Sequence, residues 1–239
     1  MKMDINIYLL CFNESALIPH VVKHYKKYLP SCNITIYDNE STDDSVKIAK
    51  ALGCSIISWN SNNSIDESKY LVIKNGCWKN VEKGWIIVAD MDEFLCVTED
   101  DLNNEQKLGT TILSIEGYDM IGESETLDLT DIDLQEIKKA VANTNESKKL
   151  CFLRENILDM NYFPGAHYCI PSGNVKYSST TYINKHMAVL GLKHFTNKYI
   201  TRYDRAENMR KLGWAAHYSN DIIKIKDIYN TQLNSCITL

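Results

Sequence analysis

The first ninety or so residues alternate short apolar runs with amphipathic stretches. Ile5 to Cys11, Ile34 to Tyr37, Ser55 to Trp59 and Trp85 to Ala89 are bounded by polar residues and rich in β-branched side chains, the pattern of buried strands. Between them, Leu17, Ile18, Val21, Val22, Tyr25, Tyr28 and Leu29 recur with the 3.6-residue period of a helix. Ser41 and Thr42 offer caps, and Asp43 and Asp44 first-turn carboxylates, for a second helix running to about Leu52. A third helix is predicted from Asp66 to Asn80. Strand and helix in strict alternation predict an α/β fold, with a mostly parallel central sheet flanked by helices.

Beyond Leu95 the rhythm shortens. Thr111 to Ile115, Leu150 to Arg154, Tyr168 to Ile170, Val175 to Tyr177 and Val189 to Phe195 read as less regular strands. Asp131 to Val141 reads as a polar helix, and Thr196 to Leu212 as an amphipathic helix stopped by Gly213. With no linker or internal repeat, the expectation is one domain over residues 1–239, its first half (1–95) of nucleotide-binding type and its second half (96–239) completing the pocket.

Composition narrows the classes. A chain of 239 residues is long enough for one continuous core, and 44% hydrophobic with 24% charged residues excludes a disordered or collagen-like chain. A net charge of -5 without a long basic block leaves no electrostatic footprint for nucleic acid. The eight cysteines form no CxxC pair and several lie in apolar runs, so they are expected to be reduced and the chain cytoplasmic. The N-terminal apolar run is too short for a signal segment or a membrane span.

Candidate chemistry gathers at the predicted strand ends. Asp90-Met91-Asp92 follows Ile86-Ile87-Val88-Ala89 directly, at the sheet edge where ligands bind in open α/β folds. In an extended step the two acids would point the same way, towards one hard cation carrying phosphate oxygens. Asp38 closes Ile34-Thr35-Ile36-Tyr37 at a place suited to bonding a base or ribose, and Asn13-Glu14 closes the first strand at the same edge.

Cys11-Phe12-Asn13-Glu14, then Ile36-Tyr37-Asp38-Asn39-Glu40-Ser41-Thr42-Asp43, then Ala89-Asp90-Met91-Asp92-Glu93-Phe94 resemble the three signatures of family-2-like glycosyltransferases with the GT-A fold, in the branch carrying D-x-D-E-F. Downstream, the resemblance continues at Asn161-Tyr162-Phe163-Pro164-Gly165-Ala166-His167 and Leu192-Lys193-His194-Phe195. It implies transfer of a sugar, a hexose among them, from a nucleotide-sugar of the UDP type to a glycan, lipid or protein hydroxyl. It places Asp38 near the nucleoside base, and Asp90 and Asp92 at the diphosphate with Mn²⁺ or Mg²⁺. A late histidine completes the metal site in many such enzymes, which makes His194 the third candidate ligand.

Other residues are sorted by context. His20 and His24 have the spacing of a zinc pair but no third ligand, and read as a solvated face; His186 and His217 carry no motif. Arg202 and Arg205, three apart on a predicted helix beside Lys198, suit a diphosphate, and Lys74-Asn75 is a further candidate for nucleotide contact. An inverting transfer needs one acceptor-side base. Asp119, Glu155, Asp159 and His167 are all admissible, with Asp159 preferred because it precedes the Pro164-Gly165 turn. Two rival readings are a haloacid-dehalogenase-type phosphatase, which also places D-x-D after a strand, and a catalytically silent nucleotide- or sugar-binding module.

Overall fold

The computed structural model describes residues 3–125, 128–129, 132–215 and 218–239. The four predicted strands form at β1 (Ile5–Cys11), β2 (Cys32–Asp38), β3 (Ser55–Ser58) and β4 (Trp85–Asp90). They are joined by helices α1 (Ile18–Tyr28), α2 (Ser45–Ala51) and α3 (Glu67–Gly76). All four strands are parallel, in the order β3-β2-β1-β4. Each connecting helix buries one face on the sheet. On α1 that face is Ile18, Val21, Val22, His24 and Tyr25.

The remaining strands widen the sheet. After β5 (Glu93–Cys96) and α4 (Glu99–Lys107) come β6 (Ile112–Gly122), β7 (Lys139–Ala142) and β8 (Cys151–Leu153). A small antiparallel pair, β9 (Ile157–Asp159) and β10 (Ser172–Gly173), stands apart from the main sheet. The fourteen-residue β11 (Tyr177–Leu190), helices α5 (Leu192–Arg205), α6 (Glu207–Lys211) and α7 (Ile222–Ser235), and β12 (Ile237–Thr238) complete the chain. β8 pairs antiparallel with β4, and the sheet continues through β6, β7 and β12. β11 lies parallel to β6 and antiparallel to β5. The central sheet is thus parallel through its first four strands and mixed beyond them.

Several second-half expectations change. Asp131 lies outside the described residues, and the rest of the expected polar helix is one 3₁₀ turn (Leu134–Glu136) followed by β7. Pairing with β6 on one side and β12 on the other outweighs local helix propensity there. Val189 to Phe195 is not one strand. Gly191, at φ +85°, ends β11 and starts α5, so His194 sits in the first turn of a helix. The predicted helix from Thr196 begins earlier, at Leu192, and breaks into α5 and α6 before Gly213. Tyr168 to Ile170 makes only one isolated bridge, Cys169 to Tyr162. His24 is buried against Tyr25, Tyr28 and Phe94 with its ring bonded to the Leu95 carbonyl, and His20 bonds the Leu129 carbonyl, so the two are not a solvated face.

The cysteines are all free. Among the described residues no helix is long and apolar enough to cross a membrane.

One close approach ties the sheet to the cleft. At Gly117, in the middle of β6, the backbone N–H donates to Ser147 Oγ (3.0 Å) and the carbonyl accepts from Asn143 N (2.9 Å). A Cβ at this position would overlap the backbone of Glu146. Gly117→Ala is therefore expected to destabilise the fold by about 1–3 kcal/mol, the range for overpacking, and to push Glu146 away from its partner Lys148. An unchanged melting temperature would contradict that packing.

Candidate active site

In parallel register Cys11 lies beside Asp38 and Leu10 beside Asp90, so the ends of β1, β2 and β4 emerge at one edge of the sheet. A cleft of about 650 Å³ opens there. Its walls include Phe12, Asn13 and Glu14 after β1, Lys74 on α3, Asp90 and Asp92, Asp119 on β6, His186 on β11, and Lys198 and Arg202 on α5. Of the residues singled out from sequence, Asn13, Glu14, Lys74, Asp90, Asp92, Asp119, His167, His194, Arg202 and Arg205 line this cleft.

The segment Asp38 to Asp43 turns out to hold the β1–α1 loop. Ser41 Oγ accepts from Asn13 N (2.9 Å), Ser45 Oγ from Glu14 N (2.9 Å) and Asp43 Oδ2 from Ser15 N (3.1 Å). Asn13, at φ +53°, returns its side-chain oxygen to Thr42 N (2.7 Å). Glu14 is left facing Lys198 at 3.5 Å. Asp38 itself is 3% exposed; Oδ2 accepts from Ser41 N, and the buried Oδ1 has no hydrogen-bond partner among the described residues. The guanidinium of Arg205 stacks on Phe12, 3.3 Å from the ring centroid, making a flat platform beside this loop.

Both motif acids are clamped by cations. Asp90 receives Lys74 at 2.9 Å and Lys148 at 3.4 Å. On Asp92, Oδ2 alone receives Lys198 at 2.5 Å, His186 Nε2 at 3.2 Å and Arg202 at 3.4 Å. Met91 and Asp92 form a turn between β4 and β5 rather than an extended step, which separates the two acids' partners. Burial would raise both carboxyls, but Lys74 and Lys148 on Asp90, and Lys198 and His186 on Asp92, pull them well below the ordinary range.

A second knot surrounds Lys148, which meets Glu93 at 2.8 Å and Glu146 at 3.1 Å as well as Asp90. Among these acids Glu93 is wholly buried and its carboxyl is pushed up to about 7, chiefly by desolvation. His186 links Asp92 to β6: Nε2 faces Asp92 while Nδ1 bonds Asp119 Oδ1 at 2.6 Å and lies 3.9 Å from Glu146 in the second knot. Asn143 donates to the other oxygen of Asp119 at 2.8 Å. No local motif marks His186, Lys148 or Glu146 in the sequence. His186 reaches the cleft through the pairing of β11 with β6, Glu146 through the turn at Thr144–Glu146, and Lys148 through the segment between that turn and β8.

Asp38, Asn75, Glu155 and Asp159 all fall outside the cleft lining. Asp159 pairs with Lys79, and Asn75 exchanges hydrogen bonds with the backbone of Tyr162 (2.8 and 3.3 Å), where it fixes the 161–168 turn. Glu155 likewise accepts from Gly84 N, away from the cleft. His167 does line it, with Nδ1 2.7 Å from the Asn145 carbonyl.

The expected metal set is not assembled. His194 fits in one respect: burial pulls its pKa down to about 4, and its neutral Nε2 has no hydrogen-bond partner among the described residues. Yet among those residues no three His, Cys, Asp or Glu side chains are arranged to hold a metal ion. The carboxylate oxygens that would bind one already face lysine, arginine or imidazolium groups. This arrangement does not fit a resident Mn²⁺ or Mg²⁺.

No family model matches the sequence. A 55-residue stretch is 31% identical to "Protein RfbJ" of Shigella flexneri, covering 23% of this chain and 43% of that protein. The chain thus spans less than half the length of that curated relative. Among solved structures, S. aureus TarS 1-349 aligns over 83% of this chain and 63% of its own, at 12% identity and a TM-score of 0.49. The same TarS segment in complex with UDP aligns over 97% and 71%, at 12% identity and a TM-score of 0.48. Glucosyl-3-phosphoglycerate synthase from Mycobacterium tuberculosis, in complex with Mn²⁺, UDP and glucosyl-3-phosphoglycerate, aligns over 48% and 44%, at 17% identity and a TM-score of 0.33.

The His186 pairings have a pH signature. Burial alone would lower its pKa, but Asp92 and Asp119 outweigh that and raise it to about 10. A histidine held protonated in this way stabilises the fold fully below its unfolded pKa of about 6.5. That contribution is lost as pH climbs through about 10. Melting temperatures of His186→Gln should therefore converge on those of the parent chain as pH rises across this window. A constant gap between the two curves would refute the pairings.

Proposed function

We propose that the chain is a glycosyltransferase that moves a sugar from a nucleotide-sugar, of the UDP type, to an acceptor hydroxyl with inversion. One observation carries this reading: the D-x-D acids lie at the C-terminal edge of a parallel sheet, in a cleft where Lys74, Lys198 and Arg202 converge. A diphosphate leaving group develops negative charge as it departs, and fixed cations in a confined site stabilise that charge. The resemblance of the strand-end motifs to GT-A glycosyltransferases supports the same assignment.

In this reading the nucleoside lies over the Phe12–Arg205 platform, with Asp38 behind the loop that shapes it. The diphosphate lies towards Lys74, Lys198 and Arg202. The acceptor enters from the side of His167 and Asp119. His167 is the base. With Nδ1 donating to the Asn145 carbonyl, Nε2 carries the lone pair that takes the acceptor proton. The acceptor oxygen attacks the anomeric carbon, the bond to the diphosphate oxygen breaks, and the electron pair leaves with the nucleoside diphosphate. Asp119, held by His186 and Asn143, lines the same side and orients the acceptor. A divalent cation, Mn²⁺ or Mg²⁺, entering at Asp90 and Asp92 would have to displace Lys74 and Lys198.

Two measurements test the assignment. In a screen of nucleotide-sugars and acceptors for nucleoside diphosphate release, His167→Gln is expected to lower kcat by roughly 10²- to 10⁴-fold while leaving UDP affinity unchanged. Retention of anomeric configuration in the product would overturn the single-base mechanism, and UDP binding without turnover on any donor would favour a silent binding module. Asp38→Ala leaves Ser41 N without its acceptor and loosens the loop beneath the nucleoside, so it is expected to weaken UDP and uridine alike by about 1–3 kcal/mol, the cost of an unsatisfied buried donor. A loss confined to UDP would instead place Asp38 at the diphosphate.

A further inference from the structure

A nucleoside diphosphate in this cleft needs its negative charge balanced. We infer that Lys198, assisted by Arg202, is a resident counter-cation that does the electrostatic work of a divalent ion at Asp92, so that the cleft holds a nucleoside diphosphate without metal. The inference rests on the nucleotide reading of the cleft and goes beyond it.

The geometry is specific. Lys198 Nζ lies 2.5 Å from Asp92 Oδ2 and 3.5 Å from Glu14 Oε1, bridging the motif acid to the loop after β1. Arg202 Nη2 reaches the same Asp92 oxygen at 3.4 Å while Nη1 is fixed by Tyr218 Oη at 3.1 Å. Lys198 is 9% exposed at its side chain and Arg202 33%, so one anchors the charge and the other presents it to the open cleft. An ammonium has three donor hydrogens and a guanidinium five, and the pairs just named leave some of each free for phosphate oxygens. Lys74, paired with Asp90, supplies a further charge across the cleft.

Position along the chain explains why both groups arrive together. Lys198 and Arg202 are four apart on α5, hence neighbours on one face of the helix, and that face is turned to Asp92. A divalent ion at the same carboxylate would meet both positive charges at short range. The repulsion opposes metal entry until one of them moves.

Calorimetry of UDP and of inorganic pyrophosphate, each in EDTA and in Mn²⁺, tests the inference on the intact chain. The parent chain should bind both ligands in EDTA about as tightly as in Mn²⁺. Lys198→Met should lose on the order of ten- to a hundredfold in affinity in EDTA, as expected for a charge-assisted hydrogen bond. Mn²⁺ should restore much of that loss, because the vacated carboxylate can then accept an ion, and Lys198→Arg should need no metal. Should Lys198→Met fail to fold, Arg202→Gln, at the more exposed position, carries the same comparison with a smaller loss. Parent binding that vanishes in EDTA and returns with Mn²⁺ overturns the inference and leaves the transferase reading standing. No binding of either ligand under both conditions overturns both.

Discussion

The buried carboxylate of Asp92 has to be paired, and much of the architecture around the cleft follows from that requirement. Left alone at 2% exposure, a charged carboxylate would cost several kcal/mol in lost hydration. The cations that meet it come from elements distant in sequence: His186 from β11, and Lys198 and Arg202 from α5. β11 is held in place by β6 and β5, and Gly191 turns the chain directly from that strand into the helix. Removing any one partner leaves charge uncompensated on the others, so the edge of the parallel sheet and the C-terminal helix are coupled through one oxygen atom.

The same economy governs the loops. The D-N-E-S-T-D stretch looks like a ligand-binding motif, yet most of its polar atoms bind backbone. Ser41, Thr42 and Asp43 satisfy the N–H groups or side chain of residues 13–15. Asn39 exchanges two hydrogen bonds with Ser61. Such bonding fixes the approach of Phe12 and Glu14 to the cleft, so the motif shapes the ligand's surroundings through the neighbouring loop. Asn75 works likewise, holding the 161–168 turn that carries His167.

Lys148 gives the interior of the site its stiffness. Three acids share one buried ammonium, and Glu93 is the acid whose pKa is raised, to about 7. Its carboxylate also accepts from the Asp90 backbone N–H at 2.6 Å, which locks the turn that carries both motif acids. The fit of Glu146 against Gly117 then transmits this order to β6 and to Asp119.

Much of the first half was legible in the sequence. Hydrophobic period alone located β1 to β4 and their helices, and parallel pairing in that order brings Asp38 and Asp90 to one edge wherever such strands form. The second half was not, because its elements are decided by partners rather than by local pattern. Lys139 to Ala142 is a strand only because β6 and β12 flank it, and His194 is helical only because Gly191 can adopt a positive φ. Asp159 reads as a plausible base in one dimension and is tied to Lys79 outside the cleft in three. His186, with no motif around it, becomes the bridge between Asp92 and Asp119. Residue identity determined which charges the chain carries and where its strands end; which charge meets which depends on contacts between residues about a hundred positions apart, and those exist only once β11 and α5 have packed against the sheet.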